Sequence, residues 1–178
     1  MNEAEIKIAR QHPDYAAGDK YLDWSLHPTV VKGMLEGEFE RIVANAARIY
    51  FGWFVFHVRA AIKGSGDQWI TPVSYDGEGY PDLHMLRPST GHEVAAELKV
   101  KNNKPTEKQL EWLDQFQQCE TPAFVWYPSD VEEIKAVLRN GIAPLKPLGT
   151  DLEKWRRVRP WSLGHDETGL DRRKCLRR

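Results

Sequence analysis

The stretch "EVAAELKVK", residues 93–101, alternates Val94, Ala96, Leu98 and Val100 with Glu93, Ala95, Glu97, Lys99 and Lys101. A period of two predicts an extended strand with one face on a core and the other toward solvent. Its flanks follow from it. Upstream, "PDLHML" reads as a partner strand joined through the turn "PSTGHE". Downstream, "PTEKQLEWLDQFQQC" opens with Thr106 and, three residues later, Gln109, the pattern of a capping box. The helix continues through Leu110, Leu113 and Phe116 or Gln117. "PAFVWY" predicts a further strand. "SDVEEIKAVL" predicts a second helix, capped by Ser129 with Glu132 at its third position. The strand–helix–strand passage from Glu93 to Tyr127 predicts a right-handed crossover between parallel strands.

Earlier in the chain, Leu35, Phe39, Val43, Ala46, Ala47 and Tyr50 recur at helical spacing, which predicts a helix over 31–51 stopped by Gly52. "WFVFHVRAAI" predicts a strand, and Trp69–Val73 a short one kept to an edge by Pro72. The class is α/β, with a mixed central sheet flanked by helices on both faces in the order αβββαβα. Residues 32–139 hold this core. Residues 1–31 are expected to be an irregular N-terminal extension, docked through Tyr21, Trp24 and Leu26. Residues 140–178 form a Pro-rich, basic C-terminal extension; from Asp151 onward it carries nine Lys or Arg against five Asp or Glu.

At 178 residues the chain is long enough for one unstapled core. Hydrophobic residues at 41% and charged residues at 29% indicate a soluble globular class. The net charge of −1 offers no general argument for a polyanionic partner. Cys119 and Cys175 lack metal spacing, so reduced thiols and a cytoplasmic location are expected. No apolar run approaches the ~18 residues of a membrane span, and "MNEAEIKIAR" lacks the apolar stretch of a signal peptide. There is no GxxxxGK[ST] loop and no G-x-S-x-G elbow. "HEVAAE" lacks the second His of a zinc helix.

The chemistry concentrates on two strands. Glu97 and Lys99 leave the same face of one, and Asp82 opens the other beside Gly77 and Gly79. Paired as a hairpin, Asp82 approaches Glu97, and both stay ionised only with a cation between them. An oxygen-only ligand set selects a hard ion, Mg²⁺ or Mn²⁺. A lysine at that point can orient a water and neutralise charge developing on a phosphate. The bland alternative is a surface salt bridge worth ~0–1 kcal/mol.

Pro81-Asp82 followed by Glu97-Leu98-Lys99 resembles the PD-(D/E)xK nuclease signature. "GYPDLHMLRP", "ELKVKNNKPTEKQLEWLDQF" and "VWYPSDVEEI" together resemble its VRR-NUC branch, whose small stand-alone members occur in phages and bacteria. The likeness spans about residues 33–138. It implies a restriction-endonuclease-like core and a Mg²⁺- or Mn²⁺-dependent DNA endonuclease, working in the host cytoplasm if phage-encoded. It implies Asp82, Glu97 and the Leu98 carbonyl as metal ligands and Lys99 as the water-activating residue. Gln109 would sit near the site, and Glu36 would be the helix carboxylate; Glu40, on the same stripe, is the alternative. Gly52-Trp53 and His57 match the branch's upstream elements. His57 and Arg59 share a strand face that would meet nucleic acid, and Lys101 and Lys104 are candidate phosphate contacts. Members of the branch resemble junction-resolving homodimers, which implies branched DNA as substrate. A nonspecific or nicking nuclease, a non-cleaving DNA-binding module and an RNA-cutting relative stand beside that reading.

Overall fold

A helix needs its first amides satisfied, and Asn2 supplies that at the start of the chain. Its side chain accepts the Glu5 amide while Glu5 accepts the Asn2 amide, a closed capping box that opens α1, Glu3–Gln11. Asp14 does the same for α2, Tyr15–Ser25, accepting the Ala17 amide. The expectation of an irregular N-terminal extension is therefore corrected: the segment is two helices that pack on α3, Glu36–Ile49. Leu22 and Leu26 enter the main core. Tyr21 packs on Tyr50, but Trp24 stays 76% exposed instead of docking as expected. The computed structural model describes residues 2–57, 62–63, 69–70 and 76–141. Arg59, Pro72, Val73, Cys175 and the whole segment from 142 lie outside these.

α3 starts five residues later than the periodicity suggests. Gly33 adopts φ +86°, a left-handed turn that a helix cannot contain, and Glu38 accepts the Leu35 amide to open the helix at Glu36. Phe39, Val43, Ala46 and Ala47 are buried as expected, whereas Leu35 is exposed. Gly52, at φ +79°, turns the chain into β1, Phe54–His57. Two short strands, β2 (Ile62–Lys63) and β3 (Trp69–Ile70), pair with each other in a separate sheet. Then follow β4 (Leu83–Arg87), β5 (His92–Leu98), α4 (Glu107–Gln118), β6 (Ala123–Trp126) and α5 (Val131–Asn140).

The four-stranded sheet runs β1-β4-β5-β6. The first two pairings are antiparallel, and β5 with β6 is parallel, as a crossover through α4 requires. One face packs on α2, α3 and α5 through Leu83, Met85, Val94, Ala96, Leu98 and Trp126. The opposite face is covered over β5 and β6 by α4, where Leu113 and Phe116 meet Ala95, Ala123 and Val125. Hence β5 is buried on both faces, not one. Ala95, Glu97 and Lys99 are all withdrawn from water.

The start of α5 also differs from expectation. Asp130, not Ser129, stands at the N-cap position, and its side chain makes no capping bond to the helix. A single 3₁₀ turn, Pro128–Asp130, precedes the helix, and Asp130 accepts the Tyr127 amide across it at 2.8 Å. The far end of α5 is closed from the sheet. The Arg87 guanidinium donates to the carbonyls of Leu138 and Arg139, and Trp53 Nε1 donates to Leu138 at 2.7 Å. These bonds satisfy carbonyls that a helix end leaves open. Among the described residues no helix is long and apolar enough to cross a membrane.

Candidate active site

Register builds the site. Leu83 pairs with Ala96 across β4 and β5, so the next residues outward, Asp82 and Glu97, stand opposite each other with side chains on one face. Asp82 is fixed further by accepting the Leu98 amide at 2.8 Å. The loop that delivers it is held by α4. Trp112 Nε1 donates to the Asp76 carbonyl, and Gly79 sits at φ +79° against the helix's first turn. A Cβ at Gly79 would lie 2.5–2.8 Å from atoms of Lys108 and Gln109, two of them backbone. Both the conformation and the approach therefore exclude a side chain. Gly79→Ala should destabilise the fold by about 2 kcal/mol or more, from the left-handed penalty plus the clash, as read by urea unfolding.

Lys99 is 5% exposed and Glu97 fully buried. The ammonium forms a close ion pair with Glu97 Oε1 and also donates to the Leu98 carbonyl and Glu36 Oε1, each at 3.1 Å. It thus gathers all three groups to one point. The other Glu97 oxygen, Oε2, is buried and meets no hydrogen-bond donor at normal distance among the described residues, although the Asp82 amide near the carboxylate favours its charged form.

The electrostatics follow. Burial, then the Asp82 charge, pushes Glu97 up to about 8, against the pull of Lys99. Burial also raises Asp82, opposed by the Leu98 amide and Lys99. For Lys99, burial acts downward, but Glu97, Asp82 and Glu36 together hold it above its ordinary value. Three acids and one ammonium meet here, two acids too many for neutrality if all are ionised.

Helix α3 supplies two carboxylates, one turn apart on one face. Glu36 meets Lys99 directly. Glu40 lies 3.3 Å from His57 Nδ1, and that same nitrogen is 2.9 Å from the Asp82 carbonyl oxygen. Burial raises Glu40, with His57 opposing and Asp82 adding to the shift. The choice between Glu36 and Glu40 thus resolves into two positions, one beside the lysine and one beside the aspartate backbone. His57 faces α3 rather than the opposite side of the sheet.

Gln109 closes the capping box of α4, its Oε1 accepting the Thr106 amide at 2.8 Å. Lys101 and Lys104 are exposed on the turn that follows β5, with Lys101 at φ +56°. Sequence reasoning missed Tyr127 and Asn103. Tyr127 donates to the Asn103 carbonyl at 2.7 Å, and Asn103 Nδ2 reaches Glu36 Oε2 at 3.5 Å, tying this turn to the site. Burial pushes the Tyr127 hydroxyl up to about 12, against Lys99, so it remains a donor. The position of Tyr127 at the end of β6, beside Lys99 in a parallel pair, was the available signal.

The oxygen set of Asp82, Glu97 and the Leu98 carbonyl fits a hard divalent cation. A buried Glu97 oxygen without a donor at normal distance, and two opposed acids held above their ordinary values, are what such an ion would relieve. Among the described residues there is no group of three or more His, Cys, Asp or Glu arranged to hold a metal. Two carboxylates and a carbonyl leave room for the waters and phosphate oxygens that Mg²⁺ prefers. No family model matches the chain, and no curated protein or solved structure matches it.

Proposed function

We propose that this chain is a divalent-metal-dependent nuclease that hydrolyses DNA phosphodiesters, on a restriction-endonuclease-like core of the PD-(D/E)xK type and in the manner of the VRR-NUC branch. One observation carries the reading: Asp82 and Glu97 oppose each other on neighbouring strands, with Lys99 and the Leu98 carbonyl at the same point. The order α3-β1-β4-β5-α4-β6-α5 agrees with it once the small β2–β3 pair is set aside.

In this reading Asp82, Glu97 and the Leu98 carbonyl bind Mg²⁺ or Mn²⁺. The ion supplies Lewis-acid polarisation of the phosphate and a more acidic water. Glu36 retains the Lys99 ammonium at the mouth of the site, where it donates to a phosphate oxygen as charge develops. Glu40 and His57 hold the Asp82 main chain in place. The exposed Lys101 and Lys104 receive the neighbouring phosphates.

The test is purified protein with Mg²⁺ or Mn²⁺ against labelled four-way junction, flap and linear DNA, with a matched RNA. Wild type should yield metal-dependent product from DNA, and Asp82→Asn should yield none. Binding without product from any substrate, with either ion, would replace the nuclease with a non-cleaving DNA-binding module.

A further inference from the structure

Helix α4 covers only half of its face of the sheet. The other half, over β1 and β4, leaves Phe54 47%, Phe56 59% and Leu86 45% exposed. Register places all three on the face of Asp82 and Glu97: Phe54 pairs with Leu86, and Phe56 with His84, two residues from Asp82. An apolar row this open on a sheet face marks a binding surface. Two features say of what kind. The row is chiefly aromatic, and it continues toward the site in Tyr80, whose ring stands edge-on to Phe56 at 6.1 Å and whose hydroxyl is 2.6 Å from His84 Nδ1. At its outer end lies positive charge. The Arg10 guanidinium covers the Phe54 ring at 3.8 Å, and its Nε is buried without an acceptor among the described residues; the charges of Arg48 and Glu3 act on it in opposite directions.

We infer that this row is a stacking platform for single-stranded nucleic acid, with the Phe56 ring and the Arg10 guanidinium plane seated on Phe54 as the two surfaces that meet bases, carrying an unpaired tract of the substrate toward Asp82. Bases stack on exposed rings and guanidinium planes without sequence preference, and arginines take the phosphates. Spacing favours an unpaired strand. An unpaired strand can splay its bases to meet two surfaces about 7 Å apart along β1, whereas bases in a duplex stay stacked at ~3.4 Å with their faces covered. The inference rests on the nuclease reading for its direction toward Asp82, but its test needs no cleavage.

Binding of a labelled oligo(dT) and of a blunt duplex is measured in EDTA by anisotropy. Wild type should prefer the single strand. Phe56→Leu and Phe54→Leu, which keep the surface apolar, should each weaken it about tenfold. Phe56→Trp should retain affinity and show indole quenching beyond that of wild type. Arg48→Gln should weaken binding and lessen its salt dependence. Oligonucleotide binding unchanged in both Leu variants overturns the platform while leaving the nuclease reading intact. Loss of binding in these variants upholds the platform even if the cleavage panel is blank. A wild type that binds neither DNA overturns the platform and leaves the nuclease reading to the metal-dependent cleavage panel. Variants that instead turn a dimer into a monomer by sedimentation overturn the platform in favour of a self-interface.

Discussion

Replacing Lys99 with alanine should lower cleavage by roughly 10²–10³-fold, the usual cost of losing one charged donor at a reacting phosphate. It should also cost the metal-free protein about 3–5 kcal/mol, because one partner of a buried pair is left behind. The reason is local. The ammonium has Glu97, the Leu98 carbonyl and Glu36 around it, and Glu97 is fully buried. Without Lys99, Glu97 escapes the penalty only by staying protonated. The loss in urea unfolding with EDTA should therefore be larger at pH 8.5 than at pH 5.5. An equal loss at both would mean that the pairing acts through packing, and unchanged turnover would remove the assigned role of the lysine.

The second large effect is a reversal of pH dependence by divalent ions. Glu97 is raised to about 8 and Asp82 is raised with it, by burial first. An acid whose folded pKa exceeds its unfolded one stabilises the fold below the ordinary carboxylate range. That contribution is lost as pH rises through the folded value. The metal-free protein should therefore melt progressively lower between about pH 5 and pH 8.5. With Mn²⁺ it should melt higher, and the gain should grow with pH, because binding favours the ionised acids. Glu97→Gln removes the titrating group and should flatten both trends. A Glu97→Gln profile parallel to wild type would show that other groups set the dependence.

Much of the site was legible because strand geometry is rigid. Alternation in 93–101 puts Glu97 and Lys99 on one face, and a hairpin through Thr90 and Gly91 sets Asp82 opposite Glu97. What alternation did not convey was coverage. It suggested a solvated face, yet α4 lies across Ala95 and shuts Glu97 away. The choice between Glu36 and Glu40 was not readable from helical period, since residues four apart share a stripe; only their partners separate them. The N-terminal helices were obscured by Pro13 and Gly18, which read as breakers. Gly18 is there for contact. A Cβ would lie 2.5 Å from the Phe51 ring, so its role belongs to packing, and the capping signals at Asn2 and Asp14 decide the helices. At α5, Asp130 displaced Ser129 because its carboxylate bridges back to the Tyr127 amide, a bond that depends on the turn at Pro128.

The order β1-β4-β5-β6 separates two jobs mechanically. Asp82 and Glu97 adjoin strands with neighbours on both sides, where a shift would disturb ladders in two directions. Phe54 and Phe56 ride on a four-residue margin bonded along one side. Substitutions at that border can retune what the molecule grips while the carboxylates keep their alignment, so changes in preference and losses of chemistry should arise from different parts of the same sheet.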